Sequence, residues 1–230
     1  MKAAPSRLLL KLSGEALKGQ EGPLSPTSLR YITDEIVTLA DIELAIVVGG
    51  GNFIRGARSR WLDRIEADTV GMLATVLNGL ALRAYLEKAG REAVIQSAIA
   101  TELTEPISSH NARAAMANGA IVIFTGGTGS PLVTTDTAAA LRAAAIGANL
   151  LAKGSNVAGV FTEDPDTQKE AHLLQELSFD TFIACRYGVM DVVAVEICRE
   201  NDLPIVVFDL GKSGNLAALV AGKRVGTRIH

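Results

Sequence analysis

The sequence has few aromatic residues, few cysteines and no excess of positive charge. Only 4% of its 230 residues are Phe, Trp or Tyr, so Leu, Val, Ile and Ala must fill the core, as they do in parallel sheets covered by helices. Cys185 and Cys198 lack a C-x-x-C spacing, which argues against a zinc site or a disulfide framework and favours the reducing cytoplasm. A net charge of −3 gives no basic field to attract nucleic acid, so any nucleotide partner should be small.

Long uninterrupted apolar segments are missing as well. Lys11 interrupts the run that begins at Leu8, and no segment has the roughly 18 apolar residues that a membrane helix needs, so no membrane partner is expected. What the chain does have is 48% hydrophobic and 20% charged residues, the balance of a globular protein with a large core. Its length suits a single α/β domain over residues 1–230.

Short β-rich runs alternate with helical patterns along the chain. Strands are predicted at 7–12, 43–48, 93–95, 120–124, 149–152 and 204–208. Ser25 and Pro26 mark the start of a first helix, and apolar residues at helical spacing from Val70 to Ala84, stopped by Gly90, predict a long amphipathic one. This alternation predicts an α/β fold with a mostly parallel central sheet and helices on both faces.

Four loops that follow predicted strands are rich in Gly, Thr, Lys and Asp. They cover residues 11–14, 49–55, 125–136 and 153–164. In open parallel sheets the loops after the strands gather at one edge, and ligands bind there. We therefore expect the four loops to converge on one site.

The chemistry of these loops suits phosphate. Lys11 and Lys153 each follow an apolar run and could neutralise phosphate oxygens, while Asp136 could hold the two cations in place. Gly49 to Gly51 permit a close backbone approach, and Arg55 could grip a phosphate bidentately. Each feature also has a structural interpretation: a solvated strand-end lysine, a tight turn, or a helix capped by Thr134 or Thr135.

Five segments carry a resemblance to a known family. They read KLSGEAL from Lys11, VVGGGNFIRG from Val47, GMLATVLNGLAL from Gly71, TGSPLVTTDTAAALRA from Thr128 and NDLPIVVF from Asn201. Together they resemble the bacterial UMP kinases of the amino-acid-kinase family over nearly the whole chain. The resemblance implies transfer of the ATP γ-phosphoryl group to UMP, with magnesium, usually in a hexamer regulated by GTP and UTP.

The resemblance also assigns roles to individual residues, all of them expectations. Catalysis is expected from Lys11, Asp136 and Lys153, and no residue is assigned to a metal. ATP is expected at Lys11, Leu12, Ser13, Gly14, Gly51, Arg55, Ser155, Phe161 and Asp164, with Phe161 stacking on adenine. UMP is expected at Gly50, Asp68, Thr128, Gly129, Ser130, Pro131, Leu132, Val133, Thr134 and Thr135, with Asp68 on the ribose. The acceptor lobe would cover roughly 1–150 and the ATP lobe roughly 151–230.

The chain departs from the family pattern at three places. Ser130 stands where the family often has Asn, Ala158 replaces a common Asp, and Gly22-Pro23-Leu24 differs from the usual Gly-Phe-Gly near the GTP-sensing surface. Two other functions stay open at this point. One is a kinase for another small acceptor, and the other is a non-catalytic nucleotide-binding or oxoanion-storage protein of the same fold, as molybdenum storage subunits are.

Overall fold

The computed structural model describes residues 5–39, 42–56, 59, 61–163, 167–168 and 170–230. The strands in this part of the chain are β1 (Arg7–Leu12), β2 (Glu43–Val48), β3 (Ala93–Ser97), β4 (Glu105–Pro106), β5 (Ile121–Thr125), β6 (Leu150–Ser155), β7 (Val160–Phe161), β8 (Leu173–Leu174), β9 (Glu176–Leu177), β10 (Ile205–Asp209) and β11 (Thr227–Ile229). The α-helices are α1 (Pro26–Val37), α2 (Arg64–Lys88), α3 (Ser109–Ala117), α4 (Thr135–Ile146), α5 (Phe179–Cys185), α6 (Val192–Glu200) and α7 (Asn215–Val220).

Nine of the described strands form one sheet in the order β4-β3-β5-β2-β1-β6-β10-β11-β9. Every neighbouring pair in it is parallel except β10 and β11. β7 and β8 form a separate antiparallel pair. All six predicted strands are present and the mostly parallel α/β fold is confirmed. The additional strands have only two or three residues, too few to show a period.

Helices cover both faces of this sheet, because neighbouring side chains along a strand point to opposite sides. In β1, Leu8, Leu10 and Leu12 pack with α1, α2 and α7. Leu9 points to the other face, where it joins the cluster built with α3, α4, α5 and α6. Each central strand is thus buried on both sides, which accounts for the near-continuous apolar runs in the sequence.

The long helix α2 is present, but only part of its apolar stripe faces the core. Val70, Leu73 and Leu77 are 40%, 47% and 49% exposed. The buried face carries Thr75 and Asn78 among its apolar residues, since the loops above the sheet need polar partners there. Ala74 of the predicted stripe is buried and Leu80 and Ala81 pack against the core, so the sequence pattern locates the helix correctly and its buried face only in part.

By length and composition alone α2 could also cross a membrane, contrary to the expectation from the sequence. Leu82 and Leu86 of this helix are fully buried in the core cluster beneath the sheet. In this fold α2 therefore packs on the core, and core helices can meet the same criterion of length and composition as membrane-spanning ones.

Candidate active site

The carboxyl ends of the central strands meet at one edge of the sheet, as predicted. β1 lies between β2 and β6, and β10 pairs with β6 on the far side. The segments that leave these strands therefore start side by side. Three of the four buried charged side chains in the described part of the chain, Lys11, Asp136 and Lys153, lie at this edge.

Lys11 and Lys153 are direct register partners on β1 and β6. The same register pairs Leu9 with Leu151, two residues earlier on the same face of the sheet. The apolar pair Leu9 and Leu151 is thus followed, on the same two strands, by a pair of lysines that are each only 8% exposed. Lys153 was expected after its strand, but β6 continues to Ser155, so the strand itself holds the lysine rigidly.

Asp136 bridges the two ammonium groups. Lys11 Nζ lies 2.7 Å from Asp136 Oδ1 in an ion pair that is not aligned as a hydrogen bond. Lys153 Nζ donates a hydrogen bond to Oδ2 of the same carboxylate. Asp136 sits in the first turn of α4, whose N-cap Thr134 accepts hydrogen bonds from the backbone N–H groups of Asp136 and Thr137. The helix dipole therefore adds to the field that stabilises the carboxylate.

The pKa directions follow from this arrangement. Burial by itself would raise the pKa of Asp136, but the charges of Lys11 and Lys153 outweigh it and hold that pKa below its ordinary value. Burial lowers the pKa of Lys153, with Lys11 acting in the same direction and Asp136 opposing both. Asp136 is therefore anionic at neutral pH, and its negative charge favours the protonated form of Lys153 against the effect of burial.

A second carboxylate, Asp191, supports the first. It caps α6 by accepting from the Ala194 N–H at 2.7 Å, and it accepts from Thr137 Oγ1 at 3.0 Å and from Thr134 Oγ1. Asp191 thereby ties the start of α4, which carries Asp136, to the start of α6. Sequence reasoning missed this residue, although an Asp directly before an apolar helical run is a recognisable N-cap pattern.

A cavity of about 1390 Å³ opens beside the lysines. Five of the residues expected at ATP line it, together with the expected catalytic residue Lys153: Lys11, Ser13, Arg55, Ser155 and Phe161. The side chain of Leu12 is fully buried in the core, so only its backbone can face a ligand. Asp164 lies outside the described residues. The lining also includes Tyr187, Val189 and Asp209, which the sequence patterns did not single out.

Gly14 and Gly51 come together at the mouth of the β1 and β2 loops. A methyl group on Gly14 would lie 2.8 Å from the Gly51 nitrogen and 2.7 Å from the Gly49 carbonyl oxygen. Arg55 stands nearby, 3.2 Å from Glu15 through its Nε, and is half exposed. The 11–14 turn therefore packs backbone against backbone on the glycine loop, a contact that only glycine permits.

The residues expected at UMP form a second group around α2. Asp68 Oδ2 accepts from the Leu132 N–H at 2.9 Å and from Arg64 Nε at 2.7 Å. Gly50 packs so closely on α2 that a methyl group there would lie 2.2 Å from the Gly71 carbonyl oxygen. Gly50 thus packs against α2, and Asp68 of α2 holds the loop that contains Leu132.

The acceptor loop, residues 126–134, is exposed along much of its length. Leu132 is 61% exposed and has a φ of 69°, in the left-handed region. Thr128 Oγ1 both accepts from the Ser130 N–H and donates to the Ser130 carbonyl, at 3.2 Å each. At its start the loop is fixed by Thr75 of α2, whose Oγ1 accepts from the Gly126 N–H at 2.6 Å. Hydrogen bonds thus hold the loop at its two ends and at Leu132. The residues between these positions carry polar groups.

Comparisons with known proteins agree with this geometry. The model of the amino acid kinase family matches residues 6–209. The chain is 45% identical to the chloroplastic uridylate kinase PUMPKIN of Arabidopsis thaliana, over 97% of this chain and 68% of that protein. It is 43% identical to a uridylate kinase of Magnetococcus marinus, over 99% and 97%. The crystal structure of a UMP kinase from Bacillus anthracis superposes with a TM-score of 0.95 at 36% identity, covering 99% of this chain and 97% of that one.

Proposed function

The chain belongs to the amino acid kinase family, and within that family we propose that it is a UMP kinase, which transfers the γ-phosphoryl group of ATP to UMP to give ADP and UDP. The observation that carries this proposal is the buried Lys11–Asp136–Lys153 cluster, whose lysines line a large cavity and whose Asp136 directly follows the loop held by Asp68. Similarity to uridylate kinases over nearly the full length of the chain favours UMP over other small acceptors.

The cluster supplies what phosphoryl transfer requires, which is fixed positive charge rather than a covalent partner. An ammonium group has three N–H donors. Lys153 uses two of them, on Asp136 and on the Val189 carbonyl at 2.5 Å, which leaves one for a phosphate oxygen. Lys11 contacts Asp136 alone among the described residues, which leaves it up to two. We assign these free donors to the oxygens on which charge accumulates during transfer.

Asp136 has a positioning role in this mechanism. Its two oxygens each face one lysine Nζ, so it fixes the separation of the two lysine side chains and opposes the lowering of the Lys153 pKa by burial. A carboxylate held in this way is a poor nucleophile and a poor base, because its pKa is depressed and its lone pairs are engaged. We therefore expect direct in-line transfer from ATP to UMP without a phosphorylated enzyme.

ATP is assigned to the cavity beside the lysines. Its phosphates would lie at Lys11, the backbone of Leu12 to Gly14, Gly51 and Arg55, and its adenosine at Ser155 and Phe161. The aromatic ring of Phe161 offers a stacking surface for adenine. The assignment of Asp164 to the adenosine stays a prediction.

UMP is assigned to the α2 side of the edge. Its phosphate would lie at Gly50, its ribose at Asp68, and its base along Thr128 to Thr135. Asp68 suits a sugar because a carboxylate accepts two hydroxyl donors, although it must share its oxygens with Leu132 and Arg64. In this arrangement the UMP residues and the residues at the ATP phosphates fall within roughly 1–150, and the adenosine residues Ser155, Phe161 and Asp164 fall after 150, which is the proposed division into lobes.

Magnesium is expected to enter with ATP, bound to its phosphates. Both oxygens of Asp136 face lysines, and the described residues contain no group of three His, Cys, Asp or Glu side chains that could hold an ion. Mg²⁺ is commonly bound by substrate phosphates and water with few protein ligands. The donor set of this edge fits a MgATP substrate.

Self-association is the second part of the proposal. Val70, Leu73 and Leu77 leave an apolar strip on α2, with Ile65 52% exposed one turn before it. A strip of this kind on a helix is typical of protein interfaces. A Leu73→Lys, Leu77→Lys variant should sediment as a smaller species than the wild type, and identical sedimentation would contradict this interface. A hexamer, regulation by GTP or UTP and a cytoplasmic location stay predictions.

The proposed function is tested by magnesium-dependent ADP release with UMP, CMP, dCMP, aspartate and acetylglutamate offered in turn. We expect turnover with UMP and little with the other acceptors. Preference for another acceptor would replace UMP in the proposal and focus attention on Ser130. ATP binding without turnover on any acceptor would favour a nucleotide-binding or storage protein.

A further inference from the structure

Two buried asparagines under the glycine loop take no part in the phosphoryl transfer described above. Asn52 is 7% exposed and Asn78 is fully buried. Their side-chain amides face each other: Asn52 Nδ2 donates to Asn78 Oδ1 at 2.9 Å, and Asn78 Nδ2 donates to Asn52 Oδ1 at 2.8 Å. Asn52 lies in the VVGGGNFIRG segment and Asn78 in GMLATVLNGLAL, two of the segments that carry the family resemblance.

Each amide also donates to a backbone carbonyl. Asn78 Nδ2 donates to the Gly49 carbonyl oxygen at 2.7 Å, and Asn52 Nδ2 donates to that of Pro23 at 2.6 Å. All four amide N–H groups of the pair are thereby used. A buried polar network in which every donor is satisfied is rigid, because breaking any bond leaves an unpaired group in a medium of low dielectric constant.

The pair fixes the orientation of the first glycine peptide. Gly49 is bound at both ends, since its N–H donates to the Leu12 carbonyl at 2.8 Å and its own carbonyl oxygen accepts from Asn78. A trans peptide is planar, so the Gly50 N–H points away from the Gly49 carbonyl and hence away from Asn78. Neither the Gly50 nor the Gly51 N–H donates to another described residue. Two backbone donors at this edge are therefore held in place and left free.

We propose that Asn78, supported by Asn52, is a positioning residue that holds the Gly49–Gly51 backbone so that its free N–H groups bind the phosphates between donor and acceptor. This inference rests on the proposed kinase function and extends it to residues outside the expected site. The bond from Asn78 to the Gly49 carbonyl acts directly on the loop, whereas Asn52 acts through Asn78. The two residues should therefore differ in importance.

The test replaces each asparagine by its isosteric acid. Asn78→Asp removes the donor to Gly49 and places a carboxylate oxygen against two other oxygens. We expect kcat to fall about 100-fold or more, as for loss of a fixed donor at a transition state. Asn52→Asp leaves the bond from Asn78 to Gly49 possible, so its loss of kcat should be clearly smaller.

Gln96→Glu is the matched control. Gln96 is also a fully buried amide, its Oε1 accepts from the Ser108 N–H at 3.0 Å, and its Nε2 has no partner among the described residues. The substitution buries a new carboxylate without removing a bond that the fold uses. We expect kcat and the ATP affinity of this variant to stay at wild-type values.

Two readouts keep the inference separate from the proposed function. UMP-dependent ADP release by the wild type tests the function itself. ATP binding measured by titration calorimetry tests the loop whatever the acceptor is, and should be at least about tenfold weaker in Asn78→Asp, since a hydrogen bond to a charged ligand contributes roughly that much. An inert wild type would remove the kinase proposal, while the change in ATP affinity would still decide the role of Asn78.

Thermal unfolding of each variant completes the test. Asn78→Asp protein that unfolds cooperatively, with wild-type kcat and ATP affinity, would overturn the inference, as would an Asn52→Asp defect larger than that of Asn78→Asp. If Asn78→Asp does not fold, Asn52→Asp decides: lower kcat and weaker ATP binding than in Gln96→Glu support the positioning role, and values equal to that control overturn it.

Discussion

The two halves of the proposed site are built in opposite ways. On the phosphate side, Lys11 and Lys153 stand on adjacent central strands and are 8% exposed, with Asp136 between them at the start of a helix. On the acceptor side, Leu132 and Val133 lie in a loop and are 61% and 41% exposed. Strands hold the groups that must not move, and the acceptor loop is tied to α2 through Thr75 and Asp68.

This difference separates chemistry from selectivity. Charge stabilisation needs donors fixed before the reaction begins, and the sheet supplies that rigidity. Selecting one small acceptor among several needs a surface that closes around it, and a loop with few fixed points can do so. Substitutions on the strand side should therefore lower kcat, and substitutions on the loop side should raise the KM for UMP.

Lys11→Ala should have the largest effect. It removes a cation assigned to the transition state, so kcat should fall about 10²- to 10³-fold while the KM for UMP changes little. Steady-state kinetics with both substrates varied will measure this, with Lys18→Ala as the control because Lys18 is exposed. Unchanged turnover would end the assignment of Lys11.

Asp136→Asn should combine loss of kcat with loss of stability. The variant leaves two neighbouring lysines without their anion, and breaking such a buried pair costs about 3 kcal/mol or more. Because the folded pKa of Asp136 lies below its ordinary value, its stabilising effect is complete above the unfolded pKa of about 3.9 and is lost as the pH falls through the folded pKa. Denaturant unfolding should show a wild-type advantage that is constant near neutral pH and shrinks below about pH 4. A constant advantage at all pH values would contradict the ion pair.

Asp191→Ala should have an intermediate effect, because this residue acts through Thr134 and Thr137 on the helix that carries Asp136. We expect kcat to fall about tenfold to 100-fold, the usual cost of losing a supporting hydrogen-bond partner at a site. Asp191→Asn can still cap α6 and accept from Thr137 through its one carbonyl oxygen, so it should retain most activity. Equal losses in the two variants would show that the charge of Asp191, not its hydrogen bonds, matters.

Asp68→Asn should have the smallest effect on kcat and should act on UMP. It weakens hydrogen bonds to the ribose and to the Leu132 N–H, so the KM for UMP should rise about tenfold with little change for ATP. Asp63→Asn is the control on the same helix, since Asp63 caps α2 and Asn caps equally well. A KM for UMP that Asp68→Asn leaves unchanged would contradict the ribose contact. It would also contradict the assignment of UMP binding to the loop side of the site.

Much of this arrangement could be predicted from the sequence, because it depends on local patterns. The lysines next to apolar runs, the loops after the strands and the cap at Thr134 are visible in short stretches of sequence, and the parallel sheet brings them together. The position of Lys153 within β6 was not predicted. The short strands β4, β7, β8, β9 and β11 could not be predicted, since their pairing is decided by tertiary contacts.

The outer face of α2 shows where sequence patterns mislead. Hydrophobic periodicity assumes that the apolar side is buried, and Leu73 and Leu77 obey the period but face outward. Thr75 and Asn78 are buried because they bind loop backbone 29 or more residues away in sequence, and periodicity carries no such information. Polar residues inside an otherwise apolar helix were the available signal for these loop-holding contacts.

The central claim is most directly tested by a single-turnover experiment with enzyme in excess over radiolabelled ATP, in the presence of magnesium and UMP. The account predicts one UDP for each ATP consumed, no label on the protein at any time, and loss of the UDP signal in Lys11→Ala. Label on the protein, or ATP consumed without UDP, would contradict direct transfer to UMP by this pair of lysines.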